Sequence, residues 1–394
     1  MYCRIKAMWV LVGLVAVVVM LAGCSKEAGR QQEYKIAAIL PISGPNAAQG
    51  IGMMNSCKAA IDELKRTGKL KDIQLKLMEL DDESKPEAAV RAAERAAQDP
   101  KVVAVTAHWN SGCALATNPV FHSHGLANLV PAAINSKITL EQEGDEIFRI
   151  DPHDLIIVEY AARFAVTRED WKRVYVIDDN TFYGKELARK FRGFYEQDGR
   201  TVIGQDAVNV GEQDFTALLT RIDGSSPDVI FFGGVVAEAA LIRRQMKTVG
   251  MEADFISLTG IFTESFIKAA GPAAEGAFSV TVVPPIDLLP GSDEFLAAYE
   301  RGKYSHPHEA WGVYAYASIQ VLAEAISRSL PNPDRRTVID QLKTGEFETV
   351  LGDMRFDSDG QTTLVTLFIY EVTDGQWVPR YYVAGSGELA PFES

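Results

Sequence analysis

Cysteine is scarce in this 394-residue chain: Cys3, Cys24, Cys57 and Cys113 are all it has, and no two stand in a C-x-x-C spacing. That excludes a disulfide scaffold and a zinc ribbon, so the fold has to stand on its hydrophobic core. Positive charge is short as well, with 39 Lys and Arg against 53 Asp and Glu and a formal net charge of −14. A field of that sign argues against nucleic acid as a partner. Signatures of catalysis are missing too, since there is no G-x-x-x-x-G-K-S/T loop, no G-x-S-x-G elbow, no H-E-x-x-H and no G-x-G-x-x-G after the first strand. Low-complexity tracts and short-period repeats are absent. What remains is 47% apolar and 23% charged, the composition of a core-forming globular chain, at a length that suits two or three ordinary domains.

Arg4 and Lys6 precede an uncharged run from Ala7 to Ala22 that ends in small residues. This is the layout of a secretory signal peptide over residues 1–23. The run falls short of the ~20 apolar residues that a stable transmembrane helix needs, which makes a permanent membrane anchor the second reading. Leu21-Ala22-Gly23-Cys24 resembles the bacterial lipobox, and the resemblance implies cleavage before Cys24 and a lipid on its thiol. A simple secretory cut that leaves Cys24 free is the alternative. Residues 24–33 are polar and without apolar periodicity, as a flexible tether would be. The folded body then begins near Tyr34 in the periplasm or at the cell surface, held to a bacterial membrane through Cys24.

From Tyr34 onward, short apolar runs alternate with helix-period segments, the pattern of parallel sheets covered on both faces. A first series places strands at 35–40, 73–80, 102–107, 127–130 and 147–150, with helices at 49–67, 87–98 and 112–124 between them. A second series runs from a helix at 153–168 and a strand at 173–178 to a strand at 277–282. Right-handed βαβ pairing within each series gives an α/β protein of two doubly wound parallel-sheet units. Beyond Pro284-Pro285, the periodicity predicts helices over 293–301, 309–329 and 335–343 and strands over 352–357 and 364–372.

Few side chains in this layout suggest chemistry. His122-x-His124 and His306-Pro-His308 would ligate a metal only from a strand or loop, because residues i and i+2 diverge on a helix. Solvation or capping is the plainer reading, and no metal or cofactor is assigned. Asp81-Asp82 lies between a strand and a helix, where magnesium sits in phosphate-receiving switches but where turn carboxylates also cap helices. Cys57 and Cys113 each fall on the apolar stripe of their own helix, which favours buried free thiols over a disulfide. More telling is the passage from Val105 to Cys113, where a strand ends and a helix begins. Its backbone N–H groups and the Ser111 hydroxyl would face the crevice at the strands' carboxyl ends, a place suited to a small carboxylate. Ser111 as a bare N-cap is the competing reading. Val130-Pro131-Ala132-Ala133 ends the next strand at the same edge, and Tyr183, after Asp178-Asp179-Asn180, occupies the equivalent edge of the second series.

In their order and spacing, several segments resemble the leucine/isoleucine/valine-binding type of periplasmic substrate-binding protein that serves ABC transporters. They are Pro41-Ile42-Ser43-Gly44-Pro45, Asp81-Asp82 with Pro86, His108 to Ser111, Pro131-Ala132-Ala133, Tyr183-Gly184, Asp214-Phe215, Gly233-Gly234, and Gly352 with Phe356-Asp357-x-x-Gly360. The resemblance covers Tyr34 to Val383. It implies a type I periplasmic binding protein fold, in which two lobes joined by a three-crossing hinge close on a small ligand. The implied crossings lie near Ile150-Asp151, Val283-Pro284 and Gly352-Met354. Lobe one is then 34–150 plus 285–351, and lobe two is 152–282 plus 353–394.

The resemblance also implies that Ser111 and neighbouring backbone amides hold a ligand carboxylate, with Trp109, Asn110, Ala132 and Ala133 beside them. Here the chain departs from the family. The threonine and glutamate that hold the ligand's ammonium align with Ile134 and Thr259, and two family tyrosines align with Val235 and Gln49, whereas Tyr183 is retained. An ammonium without an acceptor is costly to desolvate, so three explanations stand open. Glu238, Asp179 or Glu264 supplies the missing carboxylate; the alignment is off by a residue; or the ligand is a carboxylate or amide without an α-ammonium, with Trp109 and Phe262 as apolar walls.

Three functions follow from these readings. The leading one is a lipid-anchored, extracytoplasmic solute-binding protein that captures a small amino acid of the branched-chain type, or a related carboxylate or amide, and delivers it to the membrane subunits of an ABC permease. The second is a ligand-sensing envelope lipoprotein that regulates a partner without transport. The third, an envelope hydrolase using Ser111 with His108 or His153, is disfavoured because no positioned acid is evident.

Overall fold

In the computed structural model, which describes residues 32–383 and 387–393, the alternating runs form two wound sheets. The export segment, Cys24 and nearly all of the tether lie outside the described residues. The first sheet contains β1 (Glu33–Leu40), β2 (Gln74–Asp81), β3 (Val102–Ala107), β4 (Ala127–Val130) and β5 (Ile147–Arg149), all parallel, in the order β2-β1-β3-β4-β5. Every residue of β3 and β4 is buried, which is why these runs show no alternation of apolar and polar side chains. Around the sheet lie α1 (Ala47–Arg66), α2 (Pro86–Gln98), α3 (Ser111–Ser123) and the short α4 (Lys137–Leu140). Pro86 opens α2, as its missing N–H permits, and Ala88, Ala89, Ala92, Ala93, Ala96 and Ala97 form the buried face.

The chain leaves the first sheet after Arg149 and builds the second from α5 (Asp154–Thr167), β6 (Val174–Asp178), α6 (Phe182–Gln197), β7 (Val202–Ala207), α7 (Thr216–Asp223), β8 (Val229–Gly233), α8 (Val236–Val249), β9 (Asp254–Leu258), α9 (Glu264–Ala270) and β10 (Ala277–Thr281). After Thr281 it returns to the first unit as α10 (Ser292–Arg301), α11 (Gly312–Arg328) and α12 (Arg335–Thr344), with α11 lying along α1. A two-stranded ribbon of β11 (Phe347–Thr349) and β12 (Gly352–Met354) follows. The chain then adds β13 (Phe368–Thr373), β14 (Gln376–Val383) and β15 (Leu389–Pro391) antiparallel to the edge of the second sheet, giving the order β15-β14-β13-β10-β9-β8-β6-β7.

Two differences from the sequence reading have physical causes. β14 and β15 have no counterpart in it, because β14 carries Pro379 and Arg380 in a partly exposed strand without a clean apolar alternation. The third passage between the sheets also comes later than Gly352–Met354. Gln361 bridges to Arg149, and the Arg149 N–H donates to the Gly360 carbonyl at 2.9 Å, so residues up to Thr362 stay with the first sheet. Gly360 has φ 75°, and a Cβ there would stand 2.3 Å from the Ile147 carbonyl oxygen. Only glycine lets that turn lie against β5.

Cys57 and Cys113 are buried and unpaired, and burial pushes the Cys57 thiol up to about 12. Among the described residues no helix is long and apolar enough to cross a membrane. In the second unit, α6 is seated on the sheet by Phe191, whose ring stacks on Phe231 with centroids 3.9 Å apart and also stacks on Tyr195. Phe191→Ala should therefore destabilise the protein by about 3–5 kcal/mol in denaturant titration. A loss below about 1 kcal/mol would mean that this stack does not hold the helix.

Candidate functional site

The loops that follow β3, β4, β6, β8 and β9 converge on one cavity of about 310 Å³. This is the carboxyl edge of both sheets, where wound α/β folds leave their crevice. From the first unit come Trp109, Asn110, Ser111, Ala132 and Ile134, and from the second Tyr183, Val235 and Thr259, all of them residues expected at the site. Ala133 does not join them. It is fully buried with Val105, Phe121 and Val130 on the far face of the first sheet, because successive residues of an extended segment point to opposite sides and its two neighbours face the cavity.

Ser111 is the first residue of α3 rather than its N-cap; Asn110 occupies the cap position, with no side-chain cap bond. Ser111 Oγ accepts the Asn135 N–H at 3.4 Å, and the Asn110 Oδ1 is buried without a partner. First-turn N–H groups have no acceptor inside their own helix, so this end of α3 presents donors to the cavity.

Asp81 and Asp82 serve the scaffold instead. Asp81 accepts the backbone N–H groups of Ile42, Ser43 and Glu83, which ties down the Pro41–Pro45 turn. Asp82 is fully buried against His108, Oδ2 to Nδ1 at 2.7 Å, while His108 Nε2 meets Thr117 Oγ1 at 3.1 Å. Both ring nitrogens are thus occupied, and His108 is no base for Ser111. The remaining paired histidines have local partners: His122 meets Glu146 at 3.0 Å, His124 the Val120 carbonyl, His306 the Ser305 hydroxyl and His308 the Glu309 carbonyl. No cluster of metal-ligating side chains occurs among the described residues.

The opposite wall is acidic. Asp179 accepts the Thr181 N–H on Oδ1 at 3.0 Å, and its Oδ2 is buried with no partner. Glu238 accepts the Gly211 N–H on Oε1 at 2.9 Å, and its Oε2 is likewise unpartnered. Thr259 Oγ1 is buried without a partner as well, and Tyr183 Oη is buried beside the Gly260 backbone. Burial pushes the Asp179 carboxyl up to about 6, against the hydrogen bonds from Thr181 and with some help from the Glu238 charge. Burial also pushes the Tyr183 phenol up. Among the described residues no Lys or Arg lines the cavity. Unpaired buried oxygens cost roughly 1–3 kcal/mol each, more if charged, and a ligand bearing N–H donors removes that cost.

Two expected contributors are elsewhere. Phe262 packs on Tyr370, with centroids 4.3 Å apart, and on Trp377, while Glu264 pairs with Lys268 at the surface. Gln49 is buried within α1, and its amide is unpartnered. Sequence reasoning missed Trp311, Phe182 and Val210 as walls of the cavity. Trp311 falls inside the helix expected over 309–329, with no spacing that marks it as a wall; it reaches the site as the N-cap of α11, which lies along α1 with this end at the cavity.

Comparison with known proteins finds a match to the family described as periplasmic binding protein over residues 33–376. The Leu/Ile/Val-binding protein homolog 1 of Brucella suis is 31% identical over 336 residues, which is 85% of this chain and 89% of that protein. A crystal structure of the leucine binding protein LivK from Thermotoga maritima superposes with a TM-score of 0.81 at 26% identity, covering 90% of this chain and 99% of that one. The branched-chain amino acid substrate-binding protein LivJ from Streptococcus pneumoniae, in complex with isoleucine, superposes with a TM-score of 0.80 at 24% identity, covering 91% and 100%.

Removing the ring of His108 should strand the buried Asp82 carboxylate. His108→Ala is expected to cost about 3–5 kcal/mol of stability in denaturant unfolding, the loss typical of a broken buried pair. A change within 1 kcal/mol, on the order of a surface substitution, would mean that the pair does not support the β3–α3 turn.

Proposed function

The chain belongs to the periplasmic binding proteins, and we propose that it captures an aliphatic α-amino acid in this cavity, closes on it, and hands it unaltered to an ABC permease while tethered outside the cytoplasmic membrane through Cys24. The observation that carries this reading is the polarity of the cavity. Donors at the start of α3 stand on one wall, two half-satisfied carboxylates stand on the other, and apolar side chains lie between them. A zwitterion matches that arrangement. Its carboxylate would meet Ser111 and the first-turn N–H groups. Its ammonium would meet Asp179 Oδ2 and Glu238 Oε2, with the hydroxyls of Thr259 and Tyr183 close by. Its side chain would lie among Trp109, Ile134, Val235 and Trp311.

Of the explanations left open by the sequence, this favours acids at neighbouring positions in place of the glutamate aligned with Thr259. About 310 Å³ lies at the lower end of the ~300–1,000 Å³ usual for small-molecule sites, which suits a compact ligand. The Leu/Ile/Val-binding names of the relatives and the isoleucine complex support the same ligand class. The three chain passages between the sheets supply a hinge, and binding would favour the closed form because only that form engages the ligand from both walls. No bond in the ligand is made or broken.

A thermal-shift screen of amino acids, amides and small organic acids tests the reading. Leucine, isoleucine or valine at a hundredfold excess over its Kd should add roughly 2.7 kcal/mol of stability. Shifts with organic acids but with no amino acid would overturn it. Ser111→Ala should weaken the best binder by about 1–3 kcal/mol, and an unchanged affinity would remove its hydroxyl from the carboxylate site.

The Asp179 carboxyl predicts a pH dependence. In the free protein it takes up a proton as pH falls through about 6, and the bound ammonium favours the ionised form. Binding then releases a proton below that pH, so affinity should rise as pH increases toward about 6 and level off above it. Calorimetry across this range should find the rise in the wild type and a flat, weaker profile in Asp179→Asn. An equally flat wild-type profile would exclude Asp179 as the ammonium partner.

A further inference from the structure

The segment that follows β4 carries the cavity wall at Ile134 and the Asn135 N–H that bonds Ser111 Oγ. It is held from two sides. Within its own unit, Arg149 is fully buried and donates to the Ile134 carbonyl at 2.9 Å and the Asn135 carbonyl at 2.7 Å. From the second unit, Asp154 accepts the Ser136 N–H at 3.0 Å and the Asn135 side-chain amide at 3.2 Å. Lys190, on the inner face of α6, completes the group. Its ammonium is 2.6 Å from Asp154 Oδ2 and donates to Ser136 Oγ at 3.1 Å, with Glu186 at 3.9 Å. The Lys190 side chain is 5% exposed and that of Asp154 1%, so this is a desolvated ion pair with a hydroxyl from the other unit built into it.

Asp154 stands just beyond the first passage between the sheets, close to the hinge, whereas Lys190 stands on α6, which also meets α3 across the mouth of the cavity. Opening the cavity would carry Lys190 away from Ser136 and admit water to the pair. We infer that Lys190 is a positioning residue that reaches from α6 to Ser136 and latches the closed form, holding the Ile134–Ser136 wall against the ligand. This rests on the capture-and-closure reading of the same cavity. The latch touches no ligand. It acts on the balance between open and closed forms, so its effect falls on ligand escape rather than on encounter.

Ser136→Ala isolates the arm between the units, because it leaves the Lys190–Asp154 pair intact. Lys190→Met removes the ammonium, and Lys190→Arg keeps a charge that can still donate. Two measurements decide the matter: L-leucine dissociation followed by stopped-flow fluorescence, with Trp109 and Trp311 at the cavity as reporters, and X-ray scattering of ligand-free protein. The expected result is a dissociation rate raised roughly three- to tenfold in Ser136→Ala, more in Lys190→Met and partly restored in Lys190→Arg, with an unchanged association rate. The ligand-free variants should also have larger radii of gyration than the wild type. Wild-type dissociation together with wild-type ligand-free scattering in Ser136→Ala would overturn the latch. If the wild type takes up no L-leucine, the capture reading fails for that ligand, and ligand-free scattering still decides whether Lys190 holds the units together.

Discussion

A carboxylate buried in an apolar cavity has to find a cation or give up its charge, and burial pushes the Asp179 carboxyl at the cavity wall up accordingly. Asp179 and Glu238 each spend one oxygen on their own scaffold, on Thr181 or on Gly211, and leave the other buried without a partner beside a cavity that no Lys or Arg of the described residues lines. The protein therefore holds, at the cavity wall, two acceptor oxygens that no group of the described residues satisfies. Ser111 and the first turn of α3 pose the opposite problem across the cavity, where donors lack acceptors. On the proposed reading, a zwitterion is the ligand that answers both demands at once.

The rest of the molecule sets where these groups stand. Asp82 and His108 lock the turn between β3 and α3 from beneath, and Asp81 gathers the backbone of the Pro41–Pro45 turn beside it. In the second unit the Phe191–Phe231 stack seats α6, whose N-terminus carries Tyr183 and whose inner face carries Lys190. Packing, pairing and the latch thus meet on the same two helices. A helix that shifted by an ångström would misplace a cavity wall and a contact between the units together.

Much of this was legible in the linear chain. Apolar runs such as Val102–Ala107 and Val229–Phe232 announce buried parallel strands, and Pro86 marks the start of α2, because burial on both faces and helix geometry are local demands that leave local traces. Ser111, Trp109 and Tyr183 could be singled out because they stand where a strand gives way to a helix, a position that wound sheets always turn toward their crevice. Ala133 could not be separated from Ala132 on that basis, since its direction depends on a single residue of register. Phe262 and Glu264 were equally plausible on residue type and proved to face other surroundings.

The sequence by itself determined the α/β winding, the two series of elements and the edge at which a ligand would be met, because hydrophobic period and turn chemistry act over a few residues. Only the tertiary structure decided that Asp179 and Glu238 share one cavity, that Trp311 from a distant helix closes it, and that Lys190 reaches Ser136. Those are meetings between residues tens to hundreds of positions apart. Side-chain direction and the approach of one sheet to the other settle them, and neither is written in the spacing of the chain.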